Sequence, residues 1–504
     1  MSMTVLGRQC PSDRPMPITV EVSLISGKTV ALEAEADWTV KDLGQHAQAA
    51  LGVGKGRLLT SSGDILEGSA TVSECVQHGD VLSLHIAQVR ISMSKDFALG
   101  LSGAALLGDG SVAAWGGGKT ASAFDISPLQ DQLQNVAHVQ ASCYAYAAIR
   151  ADGSVVTWGD AACGGDVSDV QDRLRNVRHI QASSRAFAAI LADGSVVAWG
   201  HAAYGGDIQD QFDTQDRLQN VECVQSSSAA FAAIRNDGSV VTWGHSSYGG
   251  DSRSVQERLQ NVLHIQASSG AFAAIRADGS VVTWGDSDLG GDSSKEQDRL
   301  QNVKYIQASL GAFAAIRADG SVVTWGRPSY GGLSKGVEDL LQNVRCLQAS
   351  SRAFAAILTD GSVLTWGLAP FGGSCSLLQD QLQNVLQIQS SCRAFAAIRS
   401  DGFVVTWGDA DCGGDSSAVQ DQLRDVQHVQ ATRNAFAAIL ADGSVVTWGK
   451  ADYGGDSSSV QDQLQHVQQI QSAKKSFAAV RADGLVVTWG AVPSKESAAA
   501  QTVA

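Results

Sequence analysis

Proline is scarce, at 7 of 504 residues, and no stretch approaches the roughly 18 consecutive apolar residues needed to span a membrane. With so little proline, the 53 glycines point to tight turns between strands and not to collagen or a Pro-rich linker. Positive charge is also short. Lys+Arg total 36 against 51 Asp+Glu, a net charge of −15, so no cationic surplus exists to neutralise nucleic-acid phosphates or an anionic membrane. The nine cysteines include no C-x-x-C and no zinc spacing with histidine. The opening MSMTVLGRQCPSDRPMP lacks the basic-then-apolar pattern of a signal peptide. A soluble, monomeric, intracellular protein is expected, in the cytoplasm with the nucleus as the alternative. No nucleophile elbow, phosphate loop, metal-ligand cluster or paired-carboxylate motif stands out. Neither enzymatic activity nor a cofactor is expected.

What is present is repetition. Ten of the eleven tryptophans precede glycine, from Trp115 to Trp489, at spacings of 43, 41, 44 and then 41 six times. One unit, residues 427–467, reads QHVQATRNAFAAILADGSVVTWGKADYGGDSSSVQDQLQHV. Its V-x-x-[IV]-Q-[AS] segment alternates and is β-branched, as strands are. A-F-A-A-I-R and S-V-V-T-W joined by A-D-G read as a hairpin, with Asp-Gly supplying the positive φ of a tight turn. Tyr-Gly-Gly-Asp is a second turn, and the V-Q-D-Q-L piece reads as a short helix or a packed loop. Three strands per unit are therefore expected. A 41-residue unit cannot bury both faces of so small a sheet, so neighbours must stack on it, with the Trp column as core.

Several columns recur at one phase. The Asp-Gly column and the Gly-Gly-Asp column are expected to be turns, not carboxylate or calcium sites. A glutamine column runs from Gln140 to Gln471, expected to line a channel or form a side-chain ladder. Arg150, Arg235, Arg276, Arg317, Arg399 and Arg481 form another column, a solvated face or a surface for an acidic partner centred on Arg235, Arg276 and Arg317. Cys163 and Cys412 occupy a position that elsewhere holds Tyr204, Tyr248, Leu289, Tyr330, Phe371 and Tyr453, and are expected to act as small apolar substitutes in a packing column.

The motif V-x-x-I-x-x-x-x-x-x-[AFS]-A-[IL]-x-x-D-G-x-V-x-x-W-G, followed by x-x-x-Y-G-G, resembles the repeat of the regulator-of-chromosome-condensation (RCC1) family over residues 90–490. The resemblance implies a mainly β chain with an RCC1-like β-propeller of ten ~41-residue repeats. The units are shorter than the family's usual ones, and Ser183-Ser184-Arg185-Ala186 stands where the family has Gly-x-x-His. A closed ring of ten, a seven-blade ring with extra units and an open stack all accommodate ten units, with a propeller favoured.

Residues 17–88 carry none of this pattern. A hairpin, a helix capped by Thr39 and further strands around 57–60 and 81–87 make a small α+β domain. I-x-V-x-V-x-x-x-S-G-K-T-V-x-L-E, T-V-x-x-L, R-L-L, G-D-x-L-E and L-S-L-H-I-A resemble ubiquitin, implying a β-grasp domain. The resemblance maps ubiquitin's partner patch to Ile25, Leu59 and Ala87, with His85 beside it. The expected organisation is a flexible segment 1–16, a ubiquitin-like domain 17–88, an RCC1-like repeat array 89–490 and a flexible tail 491–504. Together the resemblances imply a non-enzymatic scaffold whose propeller binds a client protein and whose ubiquitin-like domain docks on a ubiquitin receptor, the proteasome or ligase machinery. The alternatives are substrate recognition in a ubiquitin ligase, without the catalytic domain that the 14 residues after Gly490 cannot accommodate, and guanine-nucleotide exchange on a small GTPase.

Overall fold

The computed structural model describes residues 17–24, 28–35, 37–53, 56–85, 90–93, 102–116, 125–208, 217–483 and 485–491. The segments 1–16 and 492–504, expected to be flexible, lie outside the described residues. No helix among the described residues is long and apolar enough to cross a membrane.

In the N-terminal unit, β1 (Ile18–Ser23) and β2 (Thr29–Ala34) form the expected hairpin. Helix α1 (Val40–Leu51) follows, then β3 (Arg57–Leu59), the short α2 (Val72–Cys75) and β4 (Val81–His85). The sheet order is β2-β1-β4-β3, with β1 and β4 parallel. Thr39 caps α1 through a reciprocal capping box with Asp42, satisfying two orphan amides. Gly52 closes the helix in the left-handed region at φ 66°. Val40, Leu43, Ala47 and Leu51 share the inward face of α1 and pack on Val20, Val22, Leu58, Leu82 and Leu84.

Beyond this unit the described residues contain ten three-stranded antiparallel sheets. Numbered along the chain, blades 1 to 10 span 90–116, 136–159, 177–200, 221–244, 262–285, 303–326, 344–367, 385–408, 426–449 and 467–490. The V-x-x-I-Q-A, A-F-A-A-I-R and V-V-T-W-G segments are the first, second and third strands, as their patterns predict. First strands of successive blades lie side by side, and that of blade 10 lies beside that of blade 1. There Ala105 and Leu107 pack against Ala478, Val480 and Val486. The fold is propeller-like, with the core in the seams between blades.

The eight seams from blade 2 to blade 10 are built alike, whereas Trp158 Nε1, at the seam between blades 1 and 2, has no such acceptor among the described residues. In blade 6, Phe313 stacks on Trp325 at 5.2 Å between ring centroids, and Trp325 Nε1 donates to Gly290 O of the preceding unit at 3.1 Å. The same bond recurs from Trp199 to Trp489. The side chain of Trp115 lies outside the described residues.

Among the described residues these blades have no fourth strand. The V-Q-D-Q-L piece is a 3-10 turn, as in Ser417–Gln422 and Ser458–Gln463. Its glutamine donates to the first carbonyl of the third strand, Gln420 to Val404 and Gln461 to Val445, both at 3.0 Å. That bond occupies part of an otherwise open sheet edge.

The Asp-Gly segments are turns. In eight of the ten, a carboxylate accepts from the serine two residues on, as Asp278 does from Ser280 N at 2.9 Å and Ser280 Oγ at 2.6 Å. At Asp401 and Asp483 the residues two on are Phe403 and Leu485, which give only their amides. The serine hydroxyl, then its amide, hold Asp152, Asp193, Asp237, Asp278, Asp319, Asp360 and Asp442 below the ordinary 3.8. A carboxylate depressed on folding contributes stability above its unfolded pKa, lost as pH falls through the folded value. The melting temperature is therefore expected to be level above about pH 5 and to fall below about pH 4. Stepped-pH calorimetry checks this, and a level trace to about pH 2 would contradict it.

The residue before the first strand of blades 2 to 10 is left-handed: Asn135, Asn176, Asn220, Asn261, Asn302, Asn343 and Asn384, then Asp425 and His466, at φ 54–57°. Asparagine tolerates this region best among side-chain-bearing residues. His466→Asn is expected to stabilise the protein by a few tenths to about 1 kcal/mol, measured by denaturant unfolding; destabilisation would mean that the imidazole makes a compensating contact.

Candidate interaction surface

The strands of every blade have two ends, and the arginine column singled out from sequence lies at one of them. Arg235, Arg276 and Arg317 each end a second strand beside the Asp-Gly turn. Their Nε atoms donate to Gln219, Gln260 and Gln301 carbonyls at 3.1–3.2 Å. Their Nη1 atoms face Asp237, Asp278 and Asp319 at 3.3, 3.1 and 3.1 Å. These guanidiniums are tied down within their own repeat, and most of each charge is answered locally. In the glutamine column, Gln181 reaches Ser226 of the next blade at 3.1 Å, whereas Gln140 and Gln307 bond to backbone one residue away. Leu59 is half-buried on β3 and His85 exposed on β4, which pair antiparallel. Ile25 and Ala87 lie outside the described residues. Arg57 donates from Nε to Asp109 O of blade 1 at 2.8 Å.

The opposite end is organised differently. In blades 2 to 9 the loop after the first strand carries a buried Ser or Thr whose hydroxyl donates to the 3-10 turn after the third strand, as Ser309 does to Tyr330 O and Ser350 to Phe371 O at 2.8 Å and Thr432 to Tyr453 O at 2.9 Å; blade 10 has Ala473 there. This is the work of the column that replaces Gly-x-x-His. The next residue links blades through the backbone. Cys143 N donates to Ser184 O, and the relay passes through Ser228, Ser269, Leu310, Ser351, Cys392 and Arg433 to Lys474 O at 2.9–3.3 Å. Nine loops are thereby held in register along one end of the array.

On this frame the following position varies: Tyr144, Arg185, Ala229, Gly270, Gly311, Arg352, Arg393, Asn434 and Lys475. Cations here sit over the aromatic rings of the 3-10 turns and bridge blades. Arg352 lies 4.6 Å from the Tyr330 ring of the previous unit and 5.1 Å from Phe371 of its own. Arg393 lies 4.7 Å from Phe371 and pairs with Asp409 at 3.2 Å. Lys475 and Lys450 flank Tyr453 at 5.1 and 5.5 Å, and Arg185 lies between Tyr144 and Tyr204. Each such contact is worth roughly 0.5–1 kcal/mol at an exposed site. Blades 4 to 6 carry only Ala229, Gly270 and Gly311 here. Blades 7 to 10 gather Arg352, Arg393, Arg433, Lys474 and Lys475, with Arg327 and Lys450 alongside. A chain of net charge −15 thus concentrates cations and aromatic rings on one arc of one end.

Sequence reasoning chose the recurring arginine column, which is leucine at 191, 358 and 440, and missed this arc. The signal lay in the position that varies, because a repeat holds its scaffold constant and places recognition where units differ.

No family model and no curated protein matches the chain. Solved structures do. The WD40 ectodomain of the Arabidopsis thaliana receptor kinase ACR4 is 17% identical, with 56% of this chain and 98% of that chain covered and a TM-score of 0.33. Prp20p from Saccharomyces cerevisiae, described with its binding to Gsp1p and histones, is 14% identical over 66% and 80% at a TM-score of 0.29. A design based on ubiquitin is 23% identical, covering 14% of this chain and 88% of the design, at 0.13.

Proposed function

We propose that this chain is a non-enzymatic interaction scaffold: a closed ten-bladed RCC1-like propeller that grips an acidic segment of a client protein with its cation–aromatic arc. The arc carries the proposal. Arg352 and Arg393 are pre-placed over Tyr330 and Phe371, so little side-chain entropy remains to be lost on binding, and their charge opposes that of the chain as a whole. The contact between blades 10 and 1 supports ring closure. The mixed sheet crossed by α1 supports a ubiquitin-like N-terminal domain that docks on ubiquitin–proteasome machinery through Leu59 and His85. Delivery of the client to a ligase is the specific form of this role; nucleotide exchange on a GTPase is the alternative, and a panel of nucleotide-release assays decides it. Arg235, Arg276 and Arg317, already paired within their repeats, make a secondary surface.

The test is charge reversal. The full chain carrying Arg352→Glu and Arg393→Glu is expected to lose its principal client in pull-downs from native lysate while staying folded, melting a few degrees below the parent for the loss of three ring contacts and the Asp409 pair. Retention of every partner by a folded variant would remove the arc from the binding surface.

A further inference from the structure

Four of the nine cysteines fall on two repeat positions. Cys392 holds the loop position filled elsewhere by Ser184, Ser228, Ser269, Leu310, Ser351, Arg433 or Lys474, and Cys412 the 3-10 position otherwise aromatic or leucine. Blade 2 repeats the arrangement with Cys143 and Cys163, at the same separation of 20 residues. No other unit has cysteine at either place. Were cysteine at the 3-10 position only a small apolar filler, its presence would not require cysteine in the loop; the two positions change together, twice.

The geometry gives the pairing a meaning. Cys392 Sγ lies 3.8 Å from Cys412 Sγ. Cys412 is only 3% exposed, whereas Cys392 is half-buried and reachable by a small solute. Both backbones are pinned. Cys392 N donates to Arg433 O at 2.9 Å and Cys412 N to Asp409 O at 3.0 Å, while Ser391 Oγ donates to Cys412 O at 2.8 Å. The hydrogen bond from Cys412 favours the Cys392 thiolate; burial opposes it, and the Arg433 and Arg393 guanidiniums add to it. Cys412 is held as the thiol by that same bond and by burial. Cys392 Sγ also lies 3.5 Å from Asn434 Oδ1, and of the two sulfurs it is the one open to solute, with Cys412 buried behind it.

We propose that Cys392 and Cys412 are a peroxide-responsive dithiol that closes to a disulfide within blade 8. The Cys392 thiolate attacks one oxygen of hydrogen peroxide. An S–O bond forms, the O–O bond breaks, and the departing hydroxide takes a proton and leaves as water. Cys412 Sγ then attacks the Cys392 sulfenic sulfur. The S–S bond forms as the S–O bond breaks, and the oxygen leaves as a second water with the Cys412 proton. Two thiols are oxidised by two electrons and the peroxide is reduced to water. The sulfurs close from 3.8 Å to about 2.05 Å by side-chain rotation, tying the inter-blade backbone relay to the 3-10 turn. A dithiol reverses the step by exchange. The pair stands independently of any client of the propeller.

The experiment uses the reduced full chain treated with hydrogen peroxide, quenched, unfolded, alkylated and mapped by mass spectrometry after trypsin. The expected product is peptide 353–393 joined to peptide 400–424, lighter by two hydrogens, with fragmentation placing the link on Cys392 and not Cys375, and with both thiols restored by dithiothreitol. In Cys412→Ser, Cys392 is expected to stop at the sulfenic acid and to be captured by dimedone. If Cys392 and Cys412 both remain alkylatable at a peroxide dose that has oxidised the exposed Cys346, or if Cys392 is joined to a different cysteine, the proposal is overturned. Peptide mapping of the unmutated chain decides this even should the variant fold poorly.

Discussion

Replacing Trp325 with alanine is expected to destabilise the array by about 3–5 kcal/mol, the range for truncating a fully buried aromatic. Trp325 is 3% exposed. It packs with Ala271, Ile275, Leu300, Val303 and Phe313 across the seam between blades 5 and 6, and its indole N–H is spent on Gly290 O. Alanine removes the apolar area, leaves a cavity between blades and strands a buried carbonyl, and all three effects have the same sign. Denaturant unfolding measures the sum. An unchanged midpoint would mean that the Trp column is exposed and free to act as a ligand cage.

Gly290→Ala is expected to weaken the same seam by roughly 2–4 kcal/mol through backbone strain and overpacking. Gly290 sits at φ +98°, where a side chain is strained whatever the space. A Cβ there would also stand 2.5 Å from Phe313 Cδ2 and 2.7 Å from Cε2. The Phe313 ring cannot yield because Trp325 is stacked on it. Combining the two substitutions should therefore give less than the sum of their effects, since losing the indole frees the Phe313 ring to move, and a coupling of about 1 kcal/mol is expected. Strict additivity would mean that the glycine matters for its dihedral alone. Wild-type behaviour of Gly290→Ala would show that the seam is not packed as described.

The strands, the turns and the helix of the N-terminal unit were legible because each depends on neighbours in sequence. Asp278-Gly279 must turn whatever surrounds it, and Thr39 with Asp42 caps α1 locally. The fourth segment was ambiguous for a physical reason: V-Q-D-Q-L has helical spacing but only one turn's length, and its place is set by Gln420 reaching Val404 across the blade. The Trp column was readable as core, whereas its bond to the preceding Gly-Gly was not, since nothing in sequence links positions 35 residues apart. The candidate surface was the least legible part. Arg235, Arg276 and Arg317 recur, and recurrence marks the frame: each is paired with the Asp two residues on. Arg352 and Arg393 do not recur in every unit, and only the packing of one unit's cation over the previous unit's ring makes them a group. Cys392 and Cys412 were separable from simple filler only by aligning two columns 20 residues apart.

The measurement that bears most directly on a two-handed scaffold is a paired pull-down from native lysate with mass spectrometry. One bait is the full chain and the other the chain from residue 90. Ubiquitin receptors, proteasome subunits or ligase components are expected to be lost on truncation while the client of the cation–aromatic arc is kept. Identical partner sets from the two baits would contradict the account, leaving the N-terminal unit without a binding role and the propeller alone to define the function.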